Sequence, residues 1–331
     1  KALPAFQKAY ENYVRDYHKE HPNCSIYLSE TAEVYGLIGQ YENAFSLLNE
    51  ALRILENSTG TSHPDYAARL FDLATLYQNS GQFTEAIPHL KNAVDIAEKK
   101  LGIRHPLFGK YSLSLAVNYE AAGQKENAVQ TYLTANKNAL TRLQNQFDHF
   151  SENEQEALFS TIEQQFAQLQ SFALRHSKNK DLTSGCFDNS LISKGLLLKN
   201  RRQMLRALKN NSDSIVAGQY WEWEALKKRL ARQYSLPAEH RRPDFEQTER
   251  RANELESALA RASQHFEYAR KNADWKIIQN KLRPGEAALE FVHFNYYEPG
   301  KTQSDGKVFY VAYLVKKNPA VAKRAKEIEL G

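Results

Sequence analysis

Cysteine is scarce in this chain, and long apolar runs are missing. Only Cys24 and Cys186 occur in 331 residues, too few for a disulfide framework, so a reducing intracellular compartment is expected. No stretch approaches the roughly 18 uninterrupted apolar residues of a membrane-spanning helix. A basic-then-apolar leader with a small-residue cleavage site is missing as well. Together these absences predict a cytoplasmic protein that does not span a membrane.

A strong excess of charge of one sign is also missing. The formal net charge is +5 and the sequence pI is about 8.9. Basic residues gather in Lys194–Arg206, Lys227–Arg232 and Lys316–Lys326, but acidic residues interleave with them and no nucleic-acid motif accompanies them. Solvated helix faces explain these runs better than a nucleic-acid site. We expect neither a nucleic-acid partner nor a cofactor.

What the sequence does contain is a repeat. The dipeptide His-Pro begins at residues 21, 63 and 105, and Gly-Gln begins at residues 39, 81 and 123, so both recur every 42 residues. A fixed period of this length is typical of stacked supersecondary units. Because stacked repeats build extended surfaces, the pattern points to partner binding before it points to a reaction.

Apolar positions within each repeat follow steps of three and four residues, which predicts helices. Gly suits a helix end that needs a left-handed residue, and Pro after His suits the first turn of the next helix. Each unit therefore reads as helix–turn–helix, at about 24–38 and 41–57 in the first complete copy. Residues 1–20 read as the second helix of an earlier unit, so the chain is expected to begin mid-repeat and to be a fragment. The positions in register are Ala32, Ala74 and Ala116; Tyr35, Tyr77 and Tyr119; Ala44, Ala86 and Ala128; Leu48, Leu90 and Tyr132; and Ala51, Ala93 and Ala135.

This pattern over residues 1–143 resembles the tetratricopeptide repeat, in the 42-residue form also found in kinesin light chains. The resemblance implies that the first helix of each unit lines a concave groove, which would hold an extended or helical segment of another protein. The alternative is that later helices of the same chain cover that face. The positions expected to bind a partner are Ser29, Glu33, Phe71, Thr75, Gln78, Leu113, Val117 and Glu120.

The repeated histidines invite a metal hypothesis, which their spacing disfavours. Equivalent positions in neighbouring repeats lie two helices apart, on the order of 10 Å or more, whereas zinc holds its ligand nitrogens at about 2.0–2.1 Å. We expect no metal site, and we expect these histidines to serve the turn between repeats.

Beyond residue 144 the period is lost, but helical patterns continue. Stripes predict one helix opening at Ser151, another through Leu191–Met204, and a pair at 221–234 and 245–266 that would form an antiparallel hairpin. That pair also offers a route to self-association. Trp221, Trp223 and Trp275 are expected to anchor the core. Strand formers at 288–297 and 308–316 predict a β-hairpin, with a third strand starting near residue 327.

Three features of this half resemble the CHAT proteins, which are caspase-like peptidases linked to such repeats in bacteria. They are Ser151-Glu152 opening a helix, the run from Ser193 to Leu198, and Asp274-Trp275 followed by Leu282–Phe291. Membership implies a cysteine peptidase with a His–Cys dyad. In the family this dyad follows the opening hairpin, so this chain is expected to be inactive alone. No catalytic residue is assigned: His293 lies within a strand, and Cys186 lies near a predicted helix start, which could lower its pKa.

The predicted fold class is therefore mainly α: a tetratricopeptide-type solenoid, a helical bridge and hairpin, and the first strands of a truncated α/β caspase-like domain. The predicted domains are 1–143 for the repeats, 144–210 for a bridge, 211–283 for the helical hairpin and 284–331 for the β-hairpin. The expected function is the interaction scaffold of a bacterial caspase-like cysteine peptidase, which recruits substrate or regulator. The alternative is a non-enzymatic adaptor resembling kinesin light chain repeats.

Overall fold

Helices dominate the computed structural model of this protein. It describes residue 8 and residues 12–16, 18–146, 152–209, 214–234, 242–263 and 274–317. The helices are α1 Cys24–Leu37, α2 Tyr41–Ser58, α3 Pro64–Asn79, α4 Phe83–Leu101, α5 Pro106–Ala121, α6 Lys125–Gln146, α7 Glu152–Arg175, α8 Lys180–Lys209, α9 Ser214–Tyr234, α10 Phe245–Ser263 and α11 Trp275–Lys281; the strands are β1 Ala287–Asn295 and β2 Val308–Lys316.

The chain divides into two compact units. The first, called here the repeat unit, contains Lys1–Asn138 together with Asn295–Lys307. The second, called the C-terminal unit, contains Ala139–Phe294 and Val308–Gly331. The loop between the two strands thus belongs with the repeats, while the strands themselves belong almost entirely to the other unit. The four domain boundaries read from the sequence remain a prediction.

Helices α1 to α6 form the three helix–turn–helix units that the 42-residue period predicts. The first unit spans Cys24–Leu37 and Tyr41–Ser58, within a residue of the predicted bounds. Small residues in register are fully buried, since Ala32, Ala44 and Ala74 have no exposed surface. Large neighbours such as Leu70 and Tyr111 fill the space around them. The mainly helical repeat array is confirmed. The predicted helix within residues 1–20 lies mostly outside the described residues.

The Gly-Gln dipeptides end the first helix of each unit in the predicted way. Gly39, Gly81 and Gly123 have φ of 79°, 80° and 75°, the left-handed region that glycine enters without strain. The next amide then turns back: the N–H of Gln82 donates to the carbonyl of Tyr77 at 2.8 Å. The same bond recurs in the units before and after. This is the Schellman pattern, which satisfies carbonyls at the helix end.

Two of the three repeated histidines cap helices. Nδ1 of His63 accepts a hydrogen bond from the backbone N–H of Asp65, and Nδ1 of His105 accepts one from Leu107. In the first unit Nδ1 of His21 accepts from the N–H of Asn23 at 3.2 Å, but Asn23 lies in the turn just before α1, so this bond orders the turn rather than capping the helix. At residues 63 and 105 the following proline occupies the first helical turn, where it has no N–H to satisfy. The prediction that these histidines serve the inter-repeat turn is confirmed.

The C-terminal unit is built on long helices. Ala139 and Leu143 pack against Leu158, Ile162 and Phe166 of α7 in one apolar cluster. The helix α7 begins at Glu152, so the predicted cap at Ser151 lies outside the described residues. Helix α8 starts at Lys180, and the side chain of Asn179 accepts hydrogen bonds from the N–H groups of Asp181 and Leu182.

Helices α9 and α10 pack antiparallel. Arg229 pairs with Asp244, and farther back along α9 Glu222 pairs with Arg251, whose Nε lies 2.9 Å from its carboxylate. Leu255 and Leu259 of α10 are buried, so they do not offer a surface for self-association. The prediction that Trp221 anchors the core is wrong: it is 65% exposed. Two residues along a helix is about half a turn, so Trp221 points away from the face that carries Trp223.

Strands β1 and β2 form a two-stranded antiparallel hairpin, as predicted. Along β1 the exposure alternates, and alternate residues such as Leu289 and Phe291 are more than half exposed. Inward-facing Val311, Tyr313 and Val315 of β2 are buried. The alternation is that of a sheet with one covered face. The predicted strand near residue 327 lies outside the described residues.

Candidate functional site

The eight residues predicted to bind a partner lie on α1, α3 and α5, the first helices of the three units. They fall in three register rows, 42 residues apart. The first row contains Ser29, Phe71 and Leu113, the second Glu33, Thr75 and Val117, and the third Gln78 and Glu120, where the first unit has Gly36. We call these eight positions the groove residues.

Ser29 and Glu33, the groove residues of α1, differ in how accessible their side chains are to a partner. Ser29 is buried, and its Oγ donates a 2.6 Å hydrogen bond to a carboxylate oxygen of Asp72 on α3. Asp72 is also 3.2 Å from the guanidinium of Arg69. Glu33 is exposed. Ser29 therefore ties two repeats together, while Glu33 presents its carboxylate to solvent.

Phe71 lies between repeats rather than free in a groove. Its ring meets that of Tyr111 with centroids 4.9 Å apart, and Nζ of Lys110 lies 4.4 Å above it. A cation over an aromatic face is attracted by the ring quadrupole. Thr75 donates its hydroxyl to the carbonyl of Phe71, at 2.9 Å. Both of these groove residues of α3 are therefore engaged by the chain itself.

The hydroxyl of Tyr111, which packs against Phe71, has a raised pKa. Burial is the main cause that raises the pKa of its hydroxyl to about 12, and the negative charge of Asp72 acts in the same direction. The phenol stays protonated over the physiological range. Its part in this site is therefore packing against Phe71 rather than proton transfer.

The groove residues of α5 are mostly covered. Leu113 is half-buried, while Val117 is only 2% exposed. The carboxylate of Glu120 accepts a hydrogen bond from the hydroxyl of Tyr132 on α6, at 3.2 Å. Among the eight positions, Glu33 alone is well exposed, and the partly covered Phe71, Thr75, Leu113 and Glu120 keep some surface.

Gln78 is the groove residue with the most specific contacts. It is 7% exposed. Its Nε2 donates to the carbonyl oxygen of Gly300 at 3.1 Å, and its Oε1 accepts from Nδ2 of Asn118 at 2.9 Å. Gly300 belongs to the strand-connecting loop within the repeat unit. The sequence left open whether later parts of the chain cover this face; at Gln78 it is covered, by this loop rather than by a helix.

Reasoning from the sequence missed Asn118, Phe83 and Gly300, which surround that contact. Asn118 has no exposed surface, although its register partners in the earlier units are Val34 and Leu76. A polar residue that interrupts an apolar register was the signal available. No comparable signal pointed to Gly300, because a loop 222 residues away meets Gln78 only through tertiary folding.

Cys186 and His293 do not form a catalytic pair. Cys186 is completely buried six residues into α8, and His293 is an exposed residue of β1 whose ring stacks on Tyr310. The expectation of a lowered thiol pKa is wrong. Burial raises the pKa of Cys186 to about 12, partly opposed by a hydrogen bond shared with Tyr313.

The described ranges contain neither a metal-binding cluster nor a membrane-spanning helix. No group of three or more His, Cys, Asp or Glu side chains there could hold a metal ion. None of the described helices is both long enough and apolar enough to cross a membrane.

Comparison with known proteins identifies the repeat. Residues 1–57 and 66–139 match the tetratricopeptide repeat family. The chain carries a tetratricopeptide repeat array. Arrays of this family serve as binding scaffolds for other proteins, and an interaction scaffold is the function class that the match supports. The match ends at residue 139, so the caspase-like part of the expectation stays a prediction. Among curated proteins none matches this chain.

Two solved structures illustrate what the tetratricopeptide array is similar to. One, from Podosopora anserina, is described as a kinesin light chain with nearly identical TPR-like repeats; it is 23% identical, covers 59% of this chain and 100% of its own, and has a TM-score of 0.35. The other is BtubC (BKLC) from P. vanneervenii, which is 16% identical, covers 86% of this chain and 93% of its own, and has a TM-score of 0.44.

Proposed function

We propose that this protein is a non-catalytic scaffold that holds a segment of a partner protein along the groove residues of its tetratricopeptide array. The observation that carries the proposal is the family match over both helices of successive units. Stacked units of this kind present a continuous face made by one helix of each repeat. This reading corresponds to the adaptor alternative.

The chemistry of the groove residues suits a mixed polar and apolar segment. Glu33 offers an exposed carboxylate, and Leu113 and Phe71 offer partly covered apolar surface. Lys110, seated over Phe71, adds a cation at the same place. A polypeptide in extended or helical form can use such alternating contacts, with side chains for specificity and main chain for affinity.

A displayed peptide library, selected against the full chain, tests this proposal. Binding of the selected peptides would be measured by fluorescence anisotropy to the wild type and to two charge-reversed variants. Glu33→Lys alters the groove, whereas Glu85→Lys makes the same change at an exposed position of α4, a second helix. We expect Glu33→Lys alone to weaken binding by about tenfold, the cost of placing like charges at a contact. Equal effects of the two variants would contradict binding along the groove residues.

A second candidate is the scaffold of a bacterial caspase-like cysteine peptidase. The observation that favours it is that residues of two of the three sequence features resembling that family, the run from Ser193 to Leu198 and the segment Leu282–Phe291, meet in the C-terminal unit. Lys194 and Ser190 of α8 both contact the carboxylate of Glu290 on β1, and the N–H of Trp275 donates to Asp188 at 2.7 Å. The exposed apolar face of β1 would then be covered by further sheet.

The intact mass of the endogenous protein distinguishes the two candidates. The peptidase reading expects a mass above 38.0 kDa by a further domain, on the order of 100–200 residues, and no proteolysis by the 331-residue chain alone. An endogenous mass near 38.0 kDa would exclude the peptidase reading and leave the adaptor. Cleavage of a protein substrate by this chain would contradict both.

A further inference from the structure

The loop at residues 296–307, which joins β1 to β2, is held against the repeats by a small site. The site, called here the turn site, consists of Gln78 at the end of α3, Phe83 at the start of α4, and Asn118 and Ala121 at the end of α5. Gly300 is buried in it. The contact lies within the repeat unit.

Steric fit at the turn site selects glycine. Gly300 has φ of 76°, and a Cβ at this position would lie 2.7 Å from the Phe83 ring and 3.2 Å from the Cβ of Ala121. A side chain there would have to move the ring or the loop as well as adopt a left-handed backbone. Gly306, in the same loop, also has positive φ but has no atom within 4 Å of its Cβ position.

Hydrogen bonding at the turn site is only partly satisfied by the loop. The amide of Asn118 has a fixed orientation, because Nδ2 donates to both Gln78 Oε1 and the carbonyl of Ser114. Its Oδ1 is buried and has no hydrogen-bond partner among the described residues. A buried acceptor without a donor is costly. A ligand that supplies a carbonyl to Gln78 and an N–H to Asn118 would make one more hydrogen bond than the loop makes.

The loop itself is organised as a closed turn. The N–H of Tyr296 donates to the carbonyl of Lys307 at 2.8 Å, and the hydroxyl of Ser304 donates to the carbonyl of Tyr296 at 2.9 Å. The N–H of Lys301 donates to the carbonyl of Glu298, closing the turn around Pro299-Gly300. Such internal bonds reduce the entropy lost when a turn is held in a site.

We infer that the turn site is a receptor for a glycine-containing polypeptide turn, which in this chain is filled by its own 296–307 loop. A partner protein reaches the site by presenting a similar turn and displacing the loop. The inference rests on the proposed scaffold function and adds to it both a ligand chemistry and a form of regulation. An attached competitor acts at an effective concentration on the order of millimolar, so the site stays closed to weak ligands.

Binding of a peptide in trans tests the inference. The probe is a fluorescein-labelled peptide of residues 296–307, closed into a ring through an added cysteine at each end. We expect Gly300→Ala to expel the loop and to bind the probe at least about tenfold more tightly than the wild type, as removal of an attached competitor predicts. Gly306→Ala has the same backbone strain without the steric conflict, and is expected to match the wild type.

Two further measurements make the result decisive. Trypsin should cut after the exposed Lys301 faster in Gly300→Ala than in Gly306→Ala, because only the first frees the loop. Adding Gln78→Leu to Gly300→Ala should weaken probe binding about fivefold, the loss expected for one neutral hydrogen bond. Circular dichroism of each variant verifies its helical fold.

Three outcomes would overturn the inference: equal trypsin cleavage in all variants, a freed loop without probe binding, or probe binding unaffected by Gln78→Leu. None of these outcomes would affect the Glu33→Lys comparison with selected peptides. Failure of the turn site and failure of the scaffold proposal are therefore distinguishable.

Discussion

The hydroxyl of Ser29 and the carboxylate of Asp72 form a 2.6 Å hydrogen bond between successive tetratricopeptide units. In a solenoid each unit is stabilised mainly by its neighbours, so a bond between α1 and α3 strengthens the interface on which the first unit depends. The acceptor is ionised, which makes the bond stronger than one between neutral groups.

Substitution of Ser29 by Ala should therefore destabilise the repeat array. We expect the free energy of unfolding to fall by about 1.5 kcal/mol, the lower end for a hydrogen bond to a charged group, because Asp72 is partly exposed. Urea denaturation followed by circular dichroism measures the change. Ser58→Ala removes a hydroxyl that bonds only within its own helix and should cost less than about 0.5 kcal/mol. Equal effects of the two substitutions would contradict the inter-repeat role.

Histidine caps should be replaceable by another good cap. We expect His63→Ala to lower the free energy of unfolding by about 1 kcal/mol, since the N–H of Asp65 loses its acceptor. His63→Asp restores an acceptor at the same position and should recover most of that loss. The measurement is again urea denaturation, with Lys91→Ala as a surface control. If His63→Ala has the same free energy of unfolding as the wild type, the hydrogen bond accepted by His63 contributes little to stability.

The thiol of Cys186 should be unreactive in the folded protein. Its burial and raised pKa, about 12, leave almost no thiolate at neutral pH and no access for a reagent. A thiol-reactive dye should label it only in denaturant. Tyr313→Phe removes the shared hydrogen bond but should leave the thiol protected, because burial is the main cause of the shift. Rapid labelling of the native wild type would contradict this account.

Asp188 should give the C-terminal unit a pH-dependent stability. Burial is the main cause that raises the pKa of its carboxyl from 3.8 to about 6 in the folded state. The folded state then holds the proton more tightly than the unfolded state, so this contribution to stability is present below pH 4 and is lost as pH rises to 6. The half-buried position limits the effect to about 1 kcal/mol.

The variant Asp188→Asn tests that dependence, because its amide oxygen can still accept the N–H of Trp275. We expect it to be more stable than the wild type above pH 6 and equal to it near pH 4. Trp221, Trp223 and Trp275 all lie in the C-terminal unit, so tryptophan fluorescence follows the unfolding of that unit. If the free energies of unfolding of Asp188→Asn and the wild type differ by the same amount at every pH, Asp188 is not the source of the pH dependence.

Much of the repeat could be predicted from the sequence because its determinants are local. The Gly81-Gln82 turn and the His63-Pro64 cap each act within six residues, and their recurrence makes them visible. The hairpin strands were predictable for the same reason, since strand-forming residues cluster at 288–297 and 308–316. Trp221 was misjudged because apolar character alone does not tell which side of α9 faces the interior.

Local pattern and period by themselves determined the helix–turn–helix units, the helix ends and the strands, because these depend on backbone preferences and on neighbours three or four residues apart. Only the tertiary structure decided which groove residues remain accessible. Gln78 meets Gly300 across 222 positions, and Cys186 is shielded by a strand more than 120 residues later in the chain. Burial of this kind depends on contacts between distant segments, which no spacing along the chain encodes.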